Sequence, residues 1–427
     1  MSRWYKLDTA AKLFSTVGSS KRAFVYRLSV LLNEKIDSAV LGQAAEQVSV
    51  RFPMLFMRMH NGVFWRYIDE NESRFSVLED TTYPCSAINP RENNGYMIRV
   101  LYYHKRISVE CSHILTDGGG ALEFMKSLVF CYLQLLGKEM NDEGLLITFG
   151  EGASLDEQED SYYKYSYQKT ADSNSPEKIK TRNAFRIRGT ELQPKGNHIT
   201  TGIVSAKALN TLAKTYDATI TSYLAAVLVY SIIKAQPVNN RDKRPIVITV
   251  PVNLRKAFPS ETLRNFSSCV NLCYEQKESN ELPDIIAKMT ADLRQKTDKE
   301  NLRCDIIHNS AIEKNIASRF VPLLLKRFFI SLGFSLFSEK KKTMTLSNLG
   351  NIRIPSDLSK EINRFEAFSY ASKRNPMFCA VCSAQDSLAI SFTRSIAEPN
   401  IIRNFFCLLS GEGTLDVKVY SNEWGNK

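Results

Sequence analysis

Between residues 107 and 136 the chain changes its hydrophobic period at one sharp point. Ile107, Val109, Cys111 and His113 alternate onto one face, the pattern of a strand running over 107–115. Asp117-Gly118-Gly119-Gly120 breaks that alternation. From Ala121 onward Leu122, Met125, Leu128, Val129, Tyr132, Leu133 and Leu136 recur at helical spacing, and Gly137 is a plausible stop. A strand that breaks directly into an apolar helix belongs to a sheet covered by helices, so this segment constrains the chain to an α/β architecture. Residues 97–103 supply a partner strand, with His104-Lys105-Arg106 at the bend of a hairpin.

The same alternation continues elsewhere. Residues 37–51 have helical spacing, and Arg51-Phe52-Pro53 ends them, because a residue before proline avoids the helical region. Short strands at 54–60 and 62–67 flank the turn residues Asn61-Gly62. From 151 to 198 the pattern dissolves into acidic, Tyr-polar and Ser/Asn/Lys-rich sequence, read as an exposed crossover whose tyrosines could pack across both lobes without anything in the sequence demanding it. The rhythm then restarts. Helices are expected at 205–216 and, more buried, at 221–235, with an amphipathic one at 282–299 and a last one at 401–409. Strands are expected at 245–254 and 343–349, the latter closed by Gly350, with a hairpin at 378–383 and 388–393. A length of 427 residues exceeds one ordinary core. The expectation is two lobes, each a mixed sheet flanked by helices: 1–170, a crossover at 171–198, and 199–427.

The break at 113–118 is also where chemistry is most legible. Histidine is the side chain whose ordinary pKa lies nearest neutrality, so it can take a proton and return it. At the end of a strand the His113 ring can face a cleft while its backbone stays in the sheet. Gly118 to Gly120 relieve crowding at the turn, and Asp117 can pair with an arginine and lock the loop. A general base so placed contributes roughly 10²- to 10⁴-fold in rate. The competing reading is a histidine that merely completes a strand.

Other candidates are weaker. The net charge of +11 attracts polyanions, but runs such as Lys340-Lys341-Lys342 and Arg241-Asp242-Lys243-Arg244 are dispersed. No basic, aromatic-interleaved motif marks a nucleic-acid binder. Nine cysteines without framework spacing, and an N-terminus without an apolar signal stretch, fit reduced thiols in a cytoplasmic protein. Cys379 and Cys382 form a lone CxxC in a strand-like run, where residues three apart face opposite ways, so the core is expected rather than a metal; the same holds for Cys269 and Cys273. His60, His104, His198 and His308 carry no partner pattern and are read as surface residues. Residues 316–337 are apolar but interrupted by Arg319, Lys326 and Arg327. Such a basic amphipathic helix suits weak contact with a membrane surface, and equally a core cover or tunnel wall.

His113-x-x-x-Asp117-Gly118 resembles the HxxxDG signature of the acyltransferase superfamily that includes chloramphenicol acetyltransferase, alcohol acetyltransferases, wax ester synthases and peptide-synthetase condensation domains. Supporting stretches follow in the family's order. Arg51-Phe52-Pro53-Met54-Leu55 is similar to an upstream region. Val250-Pro251-Val252-Asn253-Leu254-Arg255 with Arg264-Asn265-Phe266 is similar to a second-lobe region, and Leu346-Ser347-Asn348-Leu349-Gly350 to a late strand. The resemblance implies two lobes of like topology with a channel between them. It implies His113 as general base, drawing a proton from an alcohol or amine that attacks an acyl thioester of coenzyme A or of a phosphopantetheinyl carrier protein. Asp117 and Gly118 would be structural, Asp117 paired with Arg51 or Arg255, and Arg255 is alternatively a cofactor-phosphate contact. Ser347 or Asn348 would face the oxyanion. No permanent cofactor, metal or nucleic acid is implied, and a monomer is expected. The plant-type DFGWG motif is absent, and Ser112 replaces the first of the doubled histidines of condensation domains. These gaps favour a stand-alone microbial alcohol or amine acyltransferase. The alternative is a non-catalytic, condensation-like binding or scaffold protein.

Overall fold

The computed structural model describes residues 4–19, 22–149, 152–166, 182–193, 195–237, 242–277, 280–314, 321–333, 339–411 and 415–422. Two large mixed sheets organise them. The first has five strands in the order Ile362–Ser369, Val25–Leu32, Arg106–Ser112, Ile98–Tyr103 and Leu78–Glu79. The second has seven, in the order Ser267–Tyr274, Ile246–Asn253, Met344–Asn351, Met377–Ala384, Ser387–Arg394, His198–Ser205 and Lys418–Ser421. A three-stranded sheet of Trp4–Lys6, Arg66–Glu70 and Met57–Asn61 is hydrogen-bonded to neither but shares the first sheet's core through Met57 and Ile68.

The central strands Met377–Ala384 and Ser387–Arg394 of the seven-stranded sheet are buried on both faces, which is why they are nearly continuous apolar runs. Cys379, Val381, Ile390 and Phe392 pack with the helix Ile220–Lys234, and Ala380, Cys382 and Ala389 pack toward the first sheet. Cys379 and Cys382 thus lie on opposite faces, both buried. Cys269 departs from expectation: it alternates with buried Ser268 and Val270 and faces outward. The strand Ile362–Ser369 belongs by sequence to the second half but pairs antiparallel with Val25–Leu32 in the first sheet, and it packs against the two strands Met377–Ala384 and Ser387–Arg394. The lobes are therefore tied by a shared strand as well as by contact.

Local chemistry sets the helix starts. Asp37 caps Ser38–Arg51, Asp8 caps Thr9–Val17, and Thr219 with Ser222 forms a capping box for Ile220–Lys234. Two segments differ from the sequence reading. The strand at 106 ends at Ser112, because Leu115 N turns back to Ser112 O at 3.0 Å; His113 is the first residue past the sheet. In the 151–198 stretch, Ser161–Ser166 is a helix whose Tyr162 is buried against Phe266, ring centroids 5.4 Å apart, and whose Tyr165 packs on Phe258 and Phe266. These tyrosines are interlobe packing rather than exposed linker; residues 167–181 lie outside the described residues. Of the apolar stretch 316–337, the helix Leu323–Gly333 is described, and 316–320 and 334–337 lie outside. No single described helix is long and apolar enough to cross a membrane.

Candidate active site

His113 sits where the first sheet meets the second lobe. Its backbone N–H donates to Phe24 O at 2.9 Å, and its carbonyl accepts from Asn265 Nδ2 at 3.0 Å. The ring lies between Phe14, stacked at 5.0 Å, and Tyr26, tilted at 4.4 Å. Nδ1 is buried without a hydrogen-bond partner among the described residues, yet the residue as a whole is half-buried rather than sealed. Burial lowers the imidazole pKa to about 4, while the Asp117 carboxylate, the Asn265 amide and the Thr116 backbone push the other way. The ring is therefore neutral at physiological pH, the state in which it can accept a proton.

Asp117 caps the helix Gly118–Leu135. Its Oδ1 accepts from Gly119 N at 3.0 Å and Gly120 N at 3.2 Å, satisfying the helix start. Its Oδ2 accepts from Arg255 Nη1 and from Phe266 N, each at 2.8 Å. With four donors engaged, the carboxylate is committed to holding the turn. Tyr26 Oη ties the same turn by donating to Asp117 O at 2.8 Å.

Arg255 is equally committed. Besides Asp117, it donates from Nε to Thr262 O at 2.9 Å and from Nη2 to Arg264 O at 2.6 Å. Arg51 is elsewhere: it makes a two-pronged pair with Glu157, both contacts 2.7 Å. Beside that pair, a recess lined by Phe52, Met54 and Leu263 has about 10 Å³, room for one water at most.

The three glycines serve close approach rather than an unusual turn. None of Gly118, Gly119 or Gly120 has a positive φ. A Cβ on Gly120 would collide with the Leu263 carbonyl and with Thr116 Oγ1, and one on Gly118 would stand 2.8 Å from Leu349 Cδ2. The second lobe thus presses on the loop from two sides.

Ser347 and Asn348 point opposite ways on the strand Met344–Asn351. Asn348 faces the helix Ile220–Lys234, donating to Thr221 Oγ1 at 3.0 Å and accepting from Gly350 N at 2.8 Å. Ser347 is paired in register with Ala380, whose side chain packs toward the first sheet, so Ser347 lies on the face of its sheet turned to the first lobe. The register shifts between Asn348 and Asn351, with Gly350 at φ +78°, and Leu349 reaches Gly118 there.

Sequence reasoning missed Asp8. It is fully buried, accepts from Asn265 Nδ2 at 3.1 Å and lies 3.5 Å from Arg264. Burial raises its pKa to about 6, against the pull of Arg264. A lone Asp before a short N-terminal helix carries no signal beyond capping. Phe14 and Tyr26 were also missed, since aromatics at such positions read as core. Among the described residues no group of three or more His, Cys, Asp or Glu side chains is placed to hold a metal.

Comparison with known proteins gives the fold a class. No protein-family model and no curated protein matches the chain. Solved structures do. The epimerization domain from the third module of tyrocidine synthetase B superposes with a TM-score of 0.61 at 13% identity, over 96% of each chain. Fusarium graminearum TRI101, solved with coenzyme A and T-2 mycotoxin, gives 0.58 at 9% identity over 97% of this chain and 99% of its own. TRI3 trichothecene 15-O-acetyltransferase from Fusarium sporotrichioides gives 0.55 at 12% identity over 96% and 94%. The chain shares the two-lobed α/β fold of these epimerization-domain and acetyltransferase structures.

Proposed function

We propose that the protein is an acyltransferase in which His113 is the general base. The observation that carries this reading is a neutral, half-buried imidazole whose backbone is held at both ends where the lobes meet. His113 Nε2 takes the proton of an acceptor hydroxyl or amine as that atom attacks the thioester carbonyl. The Ser347 hydroxyl donates to the oxyanion that forms. Collapse breaks the carbon–sulfur bond, and the proton on His113 passes to the leaving thiolate, so the base is regenerated. Asp117, Gly118 and Arg255 fix the loop and touch neither reactant, while Arg51 and Asn348 serve packing elsewhere.

The donor is acyl-coenzyme A or an acyl-phosphopantetheinyl carrier protein, bound as a co-substrate in a channel between lobes. The coenzyme A held by TRI101 and the acetyl transfer to oxygen named for TRI3 support this donor and an alcohol acceptor. Residues 1–170 and 199–427 are assigned to the two lobes and 171–198 to the crossover, in a monomeric, cytoplasmic enzyme.

The test is thiol release from a panel of acyl thioesters with alcohol and amine acceptors. His113→Ala is expected to lower the rate by about 10²- to 10⁴-fold with unfolding unchanged. Wild-type protein that releases no thiol with any pair would return the scaffold reading.

A further inference from the structure

We infer that the hairpin tip at 62–65 and the helix Leu323–Gly333 together form a docking face for an anionic lipid surface. The two elements are joined: Leu323 N donates to Val63 O and Lys326 Nζ to Phe64 O, both at 3.0 Å. Arg66 of the same hairpin bonds Ser15 O of the helix Thr9–Val17, which also packs against Leu323–Gly333. Large apolar side chains on both joined elements are exposed: Val63 is 73% exposed, Trp65 62%, Phe328 64% and Leu325 51%. A protein surface does not leave such a cluster in water without an occupant.

Charge identifies the occupant. Residues 9–17, 57–68 and 323–333 contain Lys12, Arg58, Arg66, Lys326 and Arg327 and no Asp or Glu. Arg58 is neutralised by Asp69 at 2.9 Å. Arg66 and Arg327 are close enough that, after burial, their repulsion lowers the Arg66 pKa. Two copies of the chain meeting through this face would bring like charges together. Exposed Trp and Phe interleaved with Lys and Arg suit the boundary between acyl chains and anionic headgroups. The face is independent of the acyl-transfer reading. It lies one helix from the imidazole, since Thr9–Val17 also carries Phe14 against His113.

The experiment is flotation of the full chain with vesicles of phosphatidylcholine alone and of phosphatidylcholine with phosphatidylserine. Binding is expected to the phosphatidylserine vesicles, weakening steeply with salt. The double variant Trp65→Ser/Phe328→Ser is expected to lower that binding by roughly tenfold or more, with unchanged thermal unfolding, and Arg327→Glu to lower it selectively for the anionic vesicles. Absence of wild-type flotation, or a double variant that floats as well as wild type, overturns the inference. So does a concentration-dependent dimer that the double variant abolishes in protein that ignores both vesicles.

Discussion

Residues 112–120 and 253–266 meet around one imidazole and contribute different things. The first stretch brings the titratable ring and the helix start beneath it. The second brings the Arg255 guanidinium, the Asn265 amide and the Phe266 N–H, each giving a hydrogen bond to the first. One lobe carries the imidazole proposed as the base, and the other holds it still. Loss of the imidazole should therefore fall on rate, and loss of a second-lobe group on stability and rate together. The His113→Ala variant is the largest test, with its effect confined to turnover. A matching loss of folding stability would break the distinction.

Arg255→Ala comes next. It leaves the buried Asp117 carboxylate without its cation, and breaking a buried pair this way costs about 3–5 kcal/mol. Both partners are largely shielded, Asp117 at 6% and Arg255 at 16% side-chain exposure. Urea unfolding should show that loss, and the surviving folded fraction should turn over more slowly because the loop has slackened. Arg51→Ala, by contrast, severs the tie to Glu157 rather than one to Asp117 and should leave turnover per folded molecule intact.

Asn265→Ala is a smaller probe of the same contrast. It removes the donor to the His113 carbonyl and to buried Asp8, a cost of about 1–3 kcal/mol for stranded acceptors. The expected kinetic signature is a lowered kcat with little change in KM, since the ring shifts while the substrate's other contacts remain. Asn265→Ser, which can keep one donor, should recover part of it.

The contrast also explains what could be read from the chain. A reactive group and its frame sit within six residues, so HxxxDG is visible along the sequence. The clamp is assembled from residues more than a hundred positions away. Arg51 and Arg255 each precede a turn and look alike in sequence; only the fold gives Glu157 to one and Asp117 to the other. Ser347 and Asn348 are adjacent, and side-chain parity in the ladder with Met377–Ala384 separates them. The glycines were legible as a break in periodicity, but their need for space against Leu263 and Leu349 belongs to the other lobe. Tyr162 and Tyr165 lie in a polar stretch that gives no hint of the aromatic pair they cover. The two-lobed α/β class was legible because periodicity is local. The shared strand Ile362–Ser369 was not, because pairing is not local.

The smallest effect is the dependence on pH, where two buried first-lobe groups, both bonded to Asn265, oppose each other. The His113 pKa is lowered from 6.5 to about 4 in the folded protein. As pH falls from 6.5 toward 4 the unfolded chain takes up a proton that the folded chain refuses, so this contribution to stability is whole above 6.5 and lost on acidification. Asp8 is raised from 3.8 to about 6. Between those values the folded chain holds a proton the unfolded chain has released, so its contribution is whole below 3.8 and lost as pH rises to 6. Between about 4 and 6 the slopes cancel in part, and from 6 to 6.5 only the histidine acts. The stability difference between wild type and His113→Gln, followed by urea midpoint, should rise from pH 4 to 6.5 and then stay level. The acid limb of kcat/KM should fall well below pH 6.5, because the base in the free enzyme stays neutral until about pH 4. A limb at the ordinary histidine value would mean that the ring is solvated as an exposed imidazole is, and that Phe14 and Tyr26 do not shield it as the geometry requires.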